Sequence, residues 1–204
     1  MRSKKQFYNL NTGGTIMNIS SALLILPFVV REAVHWRVKR RNDMGLLGGM
    51  PSVLIWTAIY LVLLGNALYT AFVISFTFAG WCGYFLLWAG VLLRAWAFNA
   101  LQSNYNPYIA VYQGQQVVDT GPYRYLRHPL HTGLMLEMVG LALVGGSWIL
   151  SSLVPLALIA TLARNIEEER LLESHLGESY RRYCMTAWDV SDLLPRRTRK
   201  RHSD

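Results

Sequence analysis

Apolar and polar positions in this chain are segregated into long blocks. Runs of about twenty apolar residues are what a helix needs to cross the hydrocarbon of a bilayer. The first run extends from Thr15 to Val34, contains Pro27, and is followed at once by Arg37, Lys39, Arg40 and Arg41. A proline kink is tolerated inside a membrane helix when neighbours satisfy the freed backbone groups. Gly45–Pro51 reads as a loop. The second run, Ser52 to about Phe78, and the third, Trp81–Leu101, are separated only by Ala79-Gly80. After a polar stretch come a fourth run, Thr132–Val144, a tight turn at Gly145-Gly146, and a fifth run, Trp148–Ala163. These last two are short for independent spans and pair as a helical hairpin. The pattern predicts an all-α membrane protein with about five transmembrane helices. No clear cleavage site follows the first run, so it reads as a retained helix rather than a signal peptide.

Composition sharpens this picture. Of 204 residues, 52% are hydrophobic, yet the formal charge is +8. A soluble protein rarely combines the two; a membrane protein with its basic residues gathered on one side does. Five spans put the loop at 36–50, the polar stretch and the C-terminus on one side, which holds nearly all the Lys and Arg. That side is expected to be cytoplasmic, although Arg2, Lys4 and Lys5 at the N-terminus oppose the assignment. The tail Arg196–Arg201 is expected to be disordered or to lie on anionic lipid. A nucleic-acid partner is not expected, because no recognition motif accompanies the charge. Cys82 and Cys184 are far apart and show no metal or disulfide spacing, so no metal is expected.

The densest chemistry lies in Val117–Gly133, where two Gly, two Pro, two Tyr, two Arg and two His share seventeen positions. Gly121-Pro122 marks a turn, and Pro129 suits the first position of a helix that starts near His128. Free N–H groups at such a start favour an anion. After the fifth run the chain becomes charged, with Arg164, Glu167, Glu168, Glu169 and Arg170. Leu171, Leu172 and Leu176 continue the helical spacing as an amphipathic extension. Arg164 and Glu168, four apart, share one face.

The order of these residues is informative. Gly-Pro-Tyr-Arg-Tyr-x-Arg-His-Pro-x-x-x-Gly, at 121–133, resembles the signature of the isoprenylcysteine carboxyl methyltransferase family; phospholipid N-methyltransferases carry a looser relative of it. Arg164, Glu168, Glu169 and Leu172, then Leu176, Gly177, Tyr180 and Tyr183, resemble the same family's C-terminal half. The resemblance covers roughly Arg94 to Pro195. It implies an integral membrane, multi-pass enzyme that uses S-adenosyl-L-methionine, with a cytosolic cofactor pocket in the C-terminal half. It implies cofactor contacts at Gln115, Gln116, Val117, Val118, Tyr123, His128, Pro129, Leu130, His131 and Glu168. It implies Arg164 at the substrate, with Arg164 and Glu168 as the catalytic pair. Two departures stand out: Gln115 where prenyl-protein enzymes usually have His, and His131 where the family has Tyr. Both turn attention away from a prenylcysteine substrate.

The implied function is methyl transfer to a lipophilic or lipidated acceptor among membrane lipids, with carboxyl O-methylation first. N- or S-methylation of a phospholipid or small molecule comes second. An NADPH-dependent membrane reductase and a non-catalytic scaffold are the remaining readings. The implied organisation is 1–101 as N-terminal transmembrane helices, 102–195 as the methyltransferase core, and 196–204 as a basic tail.

Other residues read structurally. Arg94 and Glu137 lie inside apolar runs and are expected to pair. Gly83, Gly90 and Ala97 recur every seven residues and suit close helix approach. Trp96, Tyr105, Tyr108 and Tyr112 read as an interfacial aromatic belt, as do His35 and Trp36. His175 reads as solvated.

Overall fold

The computed structural model describes Leu24, Leu26, Pro27, Val29, Val30 and Ala33, then residues 50–73, 78–105, 109, 111, 114–189 and 192. Among these, the chain is helical, with no strand beyond an isolated bridge. The helices are α1 (Met50–Val73), α2 (Phe78–Leu101), α3 (Pro129–Gly145), the single turn α4 (Trp148–Ser151), α5 (Leu153–Leu176) and α6 (Glu178–Thr186). Three stretches are long and apolar enough to cross a membrane: Pro51–Ala71, Phe78–Leu101 and Trp148–Leu176. Pro129–Gly145 is a shorter apolar helix.

Most of the first apolar run, the loop at 36–49, Tyr108, Tyr112 and the basic tail lie outside the described residues. Leu24, from the first run, is fully buried in the core. The second run ends earlier than expected: Phe78 opens α2 instead of closing α1. The fifth run divides into α4 and the start of α5, and from Leu153 it continues with its charged extension as one helix, because no Gly or Pro interrupts the chain between Pro155 and Gly177.

Buried positions on α1 are Trp56, Ile59, Tyr60, Leu63, Ala67 and Ala71. Their steps of three and four make one stripe along the helix. Leu54, Leu61 and Tyr69 are exposed on the same helix. An inward stripe with an equally apolar outside is the pattern of a helix that faces lipid. The same holds for Phe85 and Leu92 of α2 and Ile159 of α5.

The most extensive contact is between α2 and α3, and small residues make it possible. A Cβ on Gly90 would stand 2.5 Å from the Gly133 oxygen, and one on Gly83 would stand 2.7 Å from the Gly140 oxygen. Both pairs are seven residues apart on their helices, so two backbones touch at two levels of an antiparallel pair. Helix α1 packs on α3 and α5. Glu137, fully buried on α3, joins three helices: it accepts from Tyr60 of α1 at 2.8 Å and from Arg94 of α2 at 3.2 Å. The expected pairing of Arg94 with Glu137 is therefore present.

Candidate functional site

The site begins with a turn that the backbone can make only with glycine at its start. Gly121 has φ +59°, and a Cβ there would meet Ala100 at 3.0 Å and the Trp96 indole nitrogen at 3.2 Å. Pro122 follows within a one-turn 3-10 helix, Gly121–Arg124. The chain then turns into α3, with His128 as N-cap residue and Pro129 at the first helical position. This is the expected helix start, and it directs the free N–H groups of α3 to the region of His128 and His131.

The segment after α6 holds this turn in place. Arg127 N donates to Trp188 O and Trp188 N to Tyr125 O, both at 2.9 Å. The Tyr183 hydroxyl donates to Tyr123 O at 2.7 Å. Buried Arg127 donates to Ala187 O at 3.0 Å, to Glu169 at 2.6 Å, and to Asp192. Arg127 thus ties turn, α5 and C-terminal segment together. His128 lies 3.4 Å from Glu169 Oε1, an ion-pair distance without hydrogen-bond geometry. Burial opposes charge on His128, but the carboxylate of Glu169, with Glu168 and Asp189 behind it, outweighs burial and raises the pKa above the ordinary histidine value. Tyr123 moves well above the ordinary phenol range, first through burial and then through Glu168. It therefore stays a neutral hydrogen-bonding group.

Between turn, α1, α2 and α5 lies a cavity of about 440 Å³. Its polar lining includes Gln115, Gln116, Tyr123, His128, His131, Arg164 and Glu168. Its apolar lining runs along α1 through Val53, Leu61 and Leu64, and along α2 through Phe98 and Leu101. Helices α1 and α2 both pack on α3 with little contact to each other among the described residues, and the cavity extends between them. One volume is thus polar at the loop end and greasy along the helices.

Arg164 is buried at 4% exposure, donates to Ser52 Oγ at 3.0 Å, and lies 5.1 Å from the Trp56 ring centroid. His131 sits on the same indole, 5.0 Å between centroids, and stacks on His128 at 5.7 Å. Oε2 of Glu168 is buried with no hydrogen-bond partner among the described residues. A carboxylate oxygen left bare in this way is costly unless a ligand group meets it.

Of the expected site residues, Gln115, Gln116, Val117, Val118, Tyr123, His128, Leu130, His131, Arg164 and Glu168 all line this cavity. Pro129 does not line it; as the first residue of α3 it sets the helix start instead. Tyr105, read as part of an aromatic belt, also lines the cavity and packs edge-on against Phe98 at 4.7 Å. Arg94 reaches the cavity besides holding Glu137.

Sequence reasoning missed Trp56, Asn165 and Asp189. Trp56 has no nearby motif. Asn165 sits beside the noticed Arg164, and its neighbours in the fold come from elsewhere in the chain. His128, His131 and Glu168 bring one ring nitrogen or carboxylate oxygen each within 4.8 Å of one another.

No curated protein matches the chain. The family profile described as phospholipid methyltransferase matches residues 78–179, from the first residue of α2 to the start of α6. That match covers half the chain and contains the turn, Arg164 and Glu168, and with it the chain belongs to the phospholipid methyltransferase family.

Proposed function

We propose that this chain is an integral membrane, S-adenosyl-L-methionine-dependent methyltransferase that modifies the polar head of a lipophilic acceptor at the cytoplasmic face. The observation that carries the reading is the two-ended character of the cavity. Its polar end is built from the 115–131 segment and from Arg164 and Glu168, and its apolar flank runs between α1 and α2. The cavity volume is within the range of small-molecule sites.

The residues present suit S-adenosyl-L-methionine. Backbone and side chains of 115–118, Tyr123, His128 and Leu130 would surround it, and the unpartnered Glu168 oxygen would face its positive charge. When bound, it supplies an electrophilic methyl group on a sulfonium. Arg164 holds an anionic group of the acceptor, as a guanidinium fork does for carboxylate or phosphate. The apolar flank takes the lipid tail and keeps water from the reacting atoms. Alignment then accounts for most of the rate. A carboxylate acceptor, the reading nearest the isoprenylcysteine carboxyl methyltransferases, needs nothing more. An amine, hydroxyl or thiol, the reading nearest the family description, also needs a base.

Calorimetric titration of the detergent-purified protein tests the reading. S-adenosyl-L-methionine should bind in the micromolar range, NADPH should not, and His128→Ala should weaken binding at least tenfold. Preference for NADPH would install the reductase reading, and a folded protein that binds neither would leave the scaffold.

A further inference from the structure

Three residues from three parts of the chain form a hydrogen-bonded line that ends in the cavity. Asp189, 2% exposed in the segment after α6, accepts from Asn165 Nδ2 at 3.3 Å. Asn165, 3% exposed on α5, presents Oδ1 to His131 Nδ1 at 2.7 Å. His131, in the first turn of α3, lines the cavity.

The chemistry of the line fixes where the protons are. An ionised carboxylate only accepts, so the Asn165 amide must turn its NH2 to Asp189. That leaves Oδ1, which also only accepts, facing the imidazole. Nδ1 of His131 must therefore carry a proton and donate it. In the neutral ring the other nitrogen, Nε2, then has a free lone pair. Nε2 makes no hydrogen bond among the described residues, and it lies on the far side of the ring from Asn165. Burial first, then His128 stacked at 5.7 Å and the nearby Arg164, oppose a second proton on the resting imidazole.

We infer that His131 is the general base of this site, held in the Nδ1–H tautomer by Asn165 and Asp189, and that the acceptor carries a proton on its attacking atom, as an amine, hydroxyl or thiol does. The inference rests on the methyltransferase reading above and deepens it. As the acceptor atom bonds to the methyl carbon, the methyl–sulfur bond breaks and its electron pair stays on sulfur. The acceptor's proton passes to His131 Nε2 and then to water. One positive charge disappears from the sulfonium while one appears on the imidazole, so the charge of the enclosed site is conserved. A carboxylate acceptor would leave His131 with nothing to do. Asn165 and Asp189 touch no substrate in this scheme; they are positioning residues.

The test uses the full chain in detergent, labelled with 15N-histidine, with the His131 signals assigned by His131→Gln. At neutral pH the neutral Nδ1–H form is expected, and Asn165→Leu and Asp189→Asn should each shift the ring toward the other tautomer. An Nε2–H ring or an imidazolium in the unaltered protein would overturn the inference, and this is decided whether or not any acceptor reacts. In parallel, alkyl amine, alcohol, thiol and carboxylic acid probes of equal chain length are offered with labelled S-adenosyl-L-methionine. With the cofactor saturating, His131→Ala should lose about 10²-fold or more in transfer to a protic probe. Added imidazole, which fits the space vacated beside the cavity, should restore part of that loss. Transfer confined to the carboxylic acid, or undiminished in His131→Ala, overturns the inference while leaving the methyltransferase reading standing. Failure of the unaltered protein to bind S-adenosyl-L-methionine overturns both.

Discussion

Arg94 donates to both carboxylate oxygens of Glu137 at 3.2 Å, from 15% exposure to a partner with none. The pair joins α2 to α3 at the inner edge of the cavity, and Tyr60 adds α1 from the other side. Breaking a buried pair leaves one charge without compensation. Arg94→Met or Glu137→Leu alone should each cost about 3–5 kcal/mol. The double substitution should cost less than the two singles together, because neither charge is then stranded. Denaturant unfolding in mixed micelles measures all three. Strictly additive losses would mean that the pair contributes nothing as a pair.

The two-level glycine contact makes a contrast between sites. Gly90→Ala places a Cβ 2.5 Å from a backbone oxygen of α3, so the helices must separate. A loss of about 1–3 kcal/mol is expected. At Gly65 of α1 an added Cβ would meet nothing within 4 Å, and Gly65→Ala should be neutral or stabilising by up to about 1 kcal/mol. Thermal unfolding midpoints of the two variants, compared side by side, check the difference.

His128 makes stability depend on pH with a definite sign. Its folded pKa is raised, burial notwithstanding, by Glu169, Glu168 and Asp189. A group raised on folding contributes stability that is fully present below its unfolded value, near 6.5, and is lost as pH rises through the folded value. The melting temperature should therefore fall as pH is raised above about 6.5. In Glu169→Gln the whole curve should sit lower, because Arg127 also loses a partner, and the fall across this range should flatten. An unchanged slope in that variant would assign the pH dependence to another group.

Arg164 and Glu168 divide the work of the cavity in the proposed function. Arg164→Ala should reduce methyl incorporation into organic-extractable lipid by roughly 10- to 100-fold, with S-adenosyl-L-methionine affinity changed only a few-fold. Arg164→Lys should fall between, since the ammonium keeps the charge but not the fork or the contact with Trp56. Glu168→Gln should show the reverse pattern, with cofactor affinity lost first. Equal loss of binding and transfer in both variants would contradict the division.

The sequence alone determined the elements and most of the cavity wall. Long apolar runs need no tertiary information to be recognised, because a bilayer selects for length and uniform hydrophobicity. Pro129 at a helix start and Gly121 at a turn act through local backbone geometry. The 121–133 signature and Arg164–Glu168 were legible because residue types at fixed spacings are carried within short contiguous stretches of chain. What the tertiary structure decided is which elements meet. Trp56 has no motif of its own, yet it contacts both Arg164 and His131 because α1 packs on both α3 and α5. Tyr105 reads as a headgroup anchor by position and becomes cavity lining because α2 brings Phe98 to its edge. The boundary between the second and third runs could not be read from hydropathy, since apolar residues occupy both sides of it. The Asp189–Asn165–His131 line spans three elements, and its proton positions follow from hydrogen-bond partners that no local pattern encodes.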